Sequence, residues 1–224
     1  MKKKAVVILS GGLDSSTLAH HLVHEGYELI CVSYNYGQKQ IKELDSARYI
    51  ARELNAVHHI VDLTFMQNFL QSSSLVNQDL NNPKEEYSRE NMLVTVVPNR
   101  NTMMLSLAWT VACANNASLL AFGPHKGDNY VYADCRPDYF NAMNLALRLG
   151  TIDSRNEELS LVAPFLHLTK VDIVRLGHDL GVPFAHTWSC YDGLELHCGT
   201  CGTCRQRKDA FITAKINDPT KYSA

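Results

Sequence analysis

Two short stretches of this chain carry residue types and spacings suited to chemistry. The first is Ser10-Gly11-Gly12-Leu13-Asp14-Ser15-Ser16, which follows an apolar run directly. Its glycines let the backbone turn tightly and approach an anion with no Cβ in the way. The amides that open a following helix, together with the Ser15 and Ser16 hydroxyls, would offer donors to pyrophosphate oxygens. No Lys-Ser/Thr follows the glycines, so this is not a Walker A loop. The plainer account is a strand-to-helix turn in which Ser or Asp caps the helix. The second stretch is Cys190-x7-Cys198-x2-Cys201-x2-Cys204. Four thiolates at that spacing match a closed, structural zinc site with no open position for water or substrate. A redox role for one Cys-x-x-Cys pair would leave two sulfurs without a function.

Such groups need a scaffold, and the sequence spells one out. AVVIL (5–9), ELICVSYNY (28–36), VHHIVDL (57–63), SLLAFG (118–123) and LSLVAPF (159–165) read as strands. Between and after them run helix-like segments, among them SSTLAHHLVHEGY, KELDSARYIAREL, NTMMLSLAWTVACANNA, DYFNAMNLALRLG and KVDIVRLGHDLG. Regular alternation implies a parallel sheet covered on both faces, with ligands bound beyond the carboxyl ends of its strands. The polar, aperiodic residues 71–92 read as an exposed insertion. From about residue 186 a cysteine-bearing module leads into a last helix, RQRKDAFITAKI, which divides the chain into 1–185 and 186–224. His20, His21 and His24 read as a solvated helix face, and so does RQRK (205–208). The 224 residues are 46% hydrophobic with a net charge of −2, enough for a sizeable core and too acidic for bulk capture of nucleic acid. No apolar run is long enough to span a membrane, and the start lacks a cleavage site, so a cytoplasmic protein is expected.

The SGGLDS string resembles the SGGxDS loop of the PP-loop ATP pyrophosphatases, which cleave ATP between its α and β phosphates. With TWSCY (187–191) and CGTCGTCRQRKDAF (198–211), the chain resembles the QueC family within that superfamily. The resemblance runs from about residue 4 to about 215 and includes YGQKQIKEL (36–44), VPNRNTMMLSLA (97–108), GDNYVYADCRPDYF (127–140) and LTKVDIVRLGHDLGVP (168–183). Asn99 stands where many members carry glycine, and residues 71–92 have no counterpart that can be matched.

The resemblance implies a Rossmann-like α/β PP-loop sheet (adenine nucleotide alpha hydrolase-like) with a C-terminal four-cysteine zinc module. It also implies ATP-dependent conversion of 7-carboxy-7-deazaguanine and ammonia to the 7-cyano base, through an adenylated carboxylate and an amide, with release of AMP and pyrophosphate. ATP would lie on Ile8, Leu9, Ser10, Gly11, Gly12, Leu13, Asp14, Ser15 and Ser16, with Ser33, Tyr34 and Gln38 at the adenine. Asp14 would help hold Mg²⁺, and Lys170 would face phosphate. Arg100 suits bidentate pairing with a carboxylate or phosphate, beside Asn101. In the loop 128–136, Asp134 suits the donor edge of a purine-like base, Asp128 a metal, and Arg136 the substrate. Cys135 reads as a small buried hydrophobe. A homodimer acting on small molecules is implied, with no membrane and no stable nucleic acid partner. The competing readings are a PP-loop enzyme that adenylates another acceptor (a tRNA base, a protein terminus, or the acid only as far as the amide) and a non-catalytic nucleotide-binding zinc module.

Overall fold

The computed structural model describes residues 2–85, 88–151 and 158–223. Its sheet comprises β1 (Lys4–Ile8), β2 (Glu28–Asn35), β3 (Val57–Asp62), β4 (Leu119–Ala121) and β5 (Ser160–Val162). The strands are parallel throughout and ordered β3-β2-β1-β4-β5. The helices are α1 (Leu13–His24), α2 (Glu43–Glu53), α3 (Arg89–Met92), α4 (Arg100–Ala114), α5 (Pro137–Leu149), α6 (Lys170–Asp179) and α7 (Gly202–Ala214).

Alternation along β1 sorts the core into two layers, because successive side chains of a strand point to opposite faces. Ala5 and Val7 pack with Leu18 and Ala19 of α1, Ala47 and Ile50 of α2, Ile173 of α6, and Ala210 and Phe211 of α7. Val6 packs on the other face with Leu105, Ala108 and Trp109 of α4 and Met143 of α5. Burial on both faces explains why the central strands read as unbroken apolar runs. The order reverses at β1, whose neighbours are β2 and β4, so the crevice above β1 and β4 is the topological switch point.

Four expectations change. Residues 71–92 are not an exposed loop: Ser73, Ser74, Leu75 and Val76 are buried. The Ser73 hydroxyl donates to the Thr95 carbonyl (3.1 Å), Ser74 donates to Asn82 (2.9 Å), and Leu75 and Val76 join the α4-side core. Polar residues that satisfy one another locally allow a short apolar pair to dock, a pattern with no periodicity to detect. Residues 86 and 87 of that stretch lie outside the described ones. His20 is 7% exposed, its Nδ1 meeting the Ser16 carbonyl at 2.8 Å and its Nε2 lying 3.1 Å from Glu53. The last helix begins at Gly202 and so takes in Cys204. Arg207 of the RQRK string is 1% exposed and paired with Asp218 at 3.1 Å, which anchors the chain end.

Candidate active site

The turn after β1 is shaped by its neighbours. Gly11 has φ +84°, and a Cβ there would sit 2.1 Å from the Glu43 carbonyl, so α2 closes against bare backbone. Gly12 occupies the N-cap position of α1, and no side chain caps that helix. The hydroxyls of Ser10 and Ser15 pair with each other instead (3.0 Å). The first amides of α1 therefore keep their donors for something other than a serine or aspartate cap.

Asp14, in the first turn of α1, bonds Lys170 through Oδ2 at 2.5 Å. Lys170 is the first residue of α6, set there by a capping box between Thr169 and Asp172. Burial pushes the Asp14 carboxyl up, but Lys170, His125 and Arg207 outweigh it, and Asp14 titrates below its ordinary value. Its second oxygen, Oδ1, is buried with no hydrogen-bond partner. An ionised, half-satisfied carboxylate beside phosphate-type donors fits a hard divalent cation such as Mg²⁺.

These groups line a cavity of about 240 Å³ at the switch point. It brings together Ile8, Leu9, Ser10, Gly12, Leu13, Asp14 and Ser15 from the first turn, Ser33 and Tyr34 from β2, and Arg100, Asn101, Asp128 and Lys170. Ser33 is held by the Leu9 carbonyl and His58, and the Tyr34 hydroxyl donates to Met104 O (2.6 Å). Arg100 opens α4 after Asn99, which adopts the left-handed conformation at φ 53°. Its guanidinium donates to the Tyr36 hydroxyl (3.3 Å). Burial opposes that charge, but Tyr36, Tyr191 and Asp134 favour it, and the net shift is upward. Asp128 accepts from the His125 amide (3.0 Å), with His125 Nε2 at 3.5 Å from its other oxygen.

The remaining expected residues stand off the cavity wall. Gly11 packs on α2, and Ser16 is buried with an unpartnered Oγ. Gln38 turns inward: it accepts from the Tyr36 amide (2.8 Å) and donates to the Tyr34 carbonyl and Glu43 (2.9 Å each). Asp134 accepts from the Asn101 amide (3.0 Å), capping α4, and the exposed Arg136 donates to the Asn129 carbonyl (3.1 Å). Cys135, by contrast, lies on the wall and is buried, its thiol pushed well up by desolvation and then by Asp128 and Asp134.

Sequence reasoning missed several wall residues. Tyr36, Gln40 and Glu43 line the cavity, and so do Trp188, Ser189, Tyr191, Thr203, Gln206 and Arg207 from the cysteine-bearing tail. Burial pushes the Glu43 carboxyl up to about 7, against the bond from Gln38 and the charge of Arg100. Its signal was a carboxylate opening a helix just past a strand end. The tail residues lie in the TWSCY and CGTCGTCRQRKDAF stretches, but their place on the wall could not be read, because only the fold brings them back over the first turn. That return is direct: the Trp188 amide donates to the Gly11 carbonyl (2.9 Å).

The tail's cysteines meet. The Sγ atoms of Cys190, Cys198, Cys201 and Cys204 all lie within 4.8 Å of one another and are buried. Tetrahedral zinc with bonds of about 2.3 Å would set its sulfurs about 3.8 Å apart, so four thiolates can close on one ion. Amides already point at the sulfurs: Cys198 N to Cys190 Sγ (3.3 Å), and Thr200 N and Cys201 N to Cys198 Sγ (3.4 and 3.2 Å). The cluster is therefore a metal-binding arrangement. His197 stays outside it, accepting from the Ser189 amide through Nε2 (3.0 Å), its imidazole lowered to about 4 by burial and then Arg207.

A parallel sheet ordered β3-β2-β1-β4-β5, with a glycine-rich turn and a cavity at its switch point, defines a doubly wound, Rossmann-like α/β protein. Among solved structures, NMN synthetase from Francisella tularensis superposes with a TM-score of 0.54 at 15% identity, over 96% of this chain and 79% of that one, a likeness of fold alone. The family described as "Queuosine biosynthesis protein QueC" matches residues 4–215. A protein named 7-cyano-7-deazaguanine synthase from Marinomonas sp. (strain MWYL1) is 40% identical over 100% of both chains. One of the same name from Brucella anthropi is 43% identical over 98% of this chain and 93% of its own. The chain belongs to the QueC family. Among the described residues no helix is long and apolar enough to cross a membrane.

Proposed function

We propose that this protein is an ATP-dependent carbon–nitrogen ligase that converts 7-carboxy-7-deazaguanine and ammonia to 7-cyano-7-deazaguanine. The observation that carries the reading is the pairing of family membership with the cavity. An uncapped helix start, the Asp14–Lys170 pair and Arg100 converge there on one space at the switch point.

A carboxylate is a poor acyl donor because its leaving group would be oxide. Transfer of AMP to it creates a good leaving group, ammonia displaces AMP to give the amide, and a second activation of the amide oxygen gives the nitrile. The chain's part is to position reactants and stabilise developing charge. The α1 amides and Lys170 hold phosphate oxygens, Arg100 orients the carboxylate, and the apolar wall of Ile8, Leu9 and Tyr34 takes the adenine. Asp14 Oδ1 and Asp128 are the residues that would hold Mg²⁺, which neutralises phosphate charge when bound. The four cysteines would hold one structural Zn²⁺. The acceptor is a small base and not tRNA, in keeping with a net charge of −2.

The test is mass spectrometry of zinc-replete protein with the acid, ATP, Mg²⁺ and ammonia. Nitrile with AMP and pyrophosphate is the expected result. Amide alone would restrict the reaction to its first half, and no AMP from protein that binds ATP would overturn the assignment.

A further inference from the structure

One carboxyl group on the cavity wall has no part in holding phosphate or metal. Glu43 is the first residue of α2, and its backbone carbonyl abuts Gly11. Gln38 donates to Oε1 (2.9 Å), which fixes the side chain, and among the described residues no hydrogen bond reaches Oε2. The Glu43 amide donates to the Gln40 carbonyl (2.9 Å), so the two residues share one turn. Gln40 is 3% exposed, lines the same cavity, and its Oε1 is buried without a partner. Two open acceptors in one turn, next to a phosphate loop, suit a small ligand that brings N–H donors.

Resting on the reaction assigned above, we propose that Glu43 is the general base that deprotonates ammonium, held by Glu43 Oε2 and Gln40 Oε1, for attack on the adenylated carboxylate. The need is chemical, since ammonium has no lone pair and is the dominant form near neutrality. Glu43 Oε2 takes a proton, the N–H electron pair stays on nitrogen, and ammonia attacks the acyl carbon. AMP departs with the C–O electron pair, and the second nitrogen proton leaves with its phosphate.

The other titratable groups on the wall are poorly placed for this task. Asp14 is tied to Lys170 and held below its ordinary value. Asp128 accepts from the His125 amide, and His125 Nδ1 accepts from the Gly127 amide (2.9 Å). Cys135 stays protonated. The groups that bear on Glu43 are Arg100 of α4, which lowers it through its charge, and Tyr36 past the end of β2. Burial dominates both and holds the carboxyl near 7, where a base both accepts and releases protons readily.

The test compares the wild-type chain with Glu43→Gln, both metal-replete and checked for cooperative melting. Nitrogen transfer is followed through the neutral pH range with ammonium and with hydroxylamine, which is a free amine at neutral pH. With ammonium, the Glu43→Gln rate falls by roughly 100-fold, the scale of general base catalysis. The wild-type rise through neutrality disappears in the variant, and hydroxylamine restores its rate to within a few-fold of wild type. Glu43→Ala should recover with added formate, which returns a carboxylate to the space. Equal losses with both nucleophiles, or a loss confined to KM for the deazapurine acid as for a residue that reads the base edge, would overturn the proposal. Wild-type protein that makes no AMP from the acid and ATP overturns the reaction assignment and, with it, this role.

Discussion

Glu43 and Asp14 show how two carboxylates in one cavity are driven to opposite states. Asp14 is pulled down by an ammonium in contact, while Glu43 is pushed up to about 7 by burial that a neutral amide and a more distant guanidinium do not offset. Stability follows from the sign. A group whose folded value lies above its unfolded 4.5 keeps its full contribution below 4.5 and loses it as pH rises through about 7. Glu43→Gln removes that loss, so the variant should be more stable than wild type above neutrality, by up to roughly 3 kcal/mol, and equally stable in acid. Melting curves at both pH values check this; a less stable variant above neutrality would mean that the charged form is well solvated. Lys170→Ala should act on the chemistry and on stability together. It should lower ATP–pyrophosphate exchange by roughly 100-fold or more, as loss of one preorganised charge does, and it should lower the melting temperature by leaving the Asp14 carboxylate unpaired.

At the scale of elements, the sheet and its helices were legible in the sequence because period and punctuation agree. Gly11-Gly12 end β1, Gly26 ends α1, and Gly181 with Pro183 closes α6. What escaped were features set by neighbours in space. The burial of Ser73–Val76 rests on hydroxyl bonds to Thr95 and Asn82, and the burial of Arg207 depends on Asp218, eleven residues further along the chain. The candidate site divided along the same line: the glycine turn after β1 was readable, while the place of Glu43 and Gln40 on the cavity wall required the fold. Asn99 is instructive at this scale. At φ 53° it occupies the region glycine adopts freely and asparagine tolerates best among other residues, so its place at the start of α4 costs little. Asn99→Gly should leave activity and melting nearly unchanged, whereas Asn99→Val should destabilise by about 1–2 kcal/mol and misplace Arg100. Kinetics alongside chemical denaturation would separate the two effects.

Across the whole molecule, the cysteine cluster borders the cavity and is joined to the first turn by backbone. Cys190 lies on the cavity wall, Trp188 bonds the Gly11 carbonyl, and Asn82 and Lys84 tie the earlier segment to Asp192. Stripping metal from the cluster should therefore weaken ATP binding by roughly tenfold or more, about 1.4 kcal/mol, even though no sulfur is asked to touch ATP. Calorimetry on chelated and reconstituted protein measures this. Unchanged affinity would show that the wall holds without metal. Arg207→Met, which leaves the Asp218 carboxylate buried and unpaired, should cost about 3–5 kcal/mol and be read in the same titrations as a lower fraction of binding-competent protein.

The bond from Trp188 to Gly11 has a consequence for the order in which the protein comes into being. The turn at Gly11 and Gly12 is synthesised well before Trp188 and the later residues that complete its enclosure. Synthesis at about 5–20 residues per second leaves a long interval between the two. During that interval the emerging chain has the loop but lacks the wall formed by 188–207. Nucleotide turnover would begin only once translation has passed that wall, so fragments released early could not consume ATP.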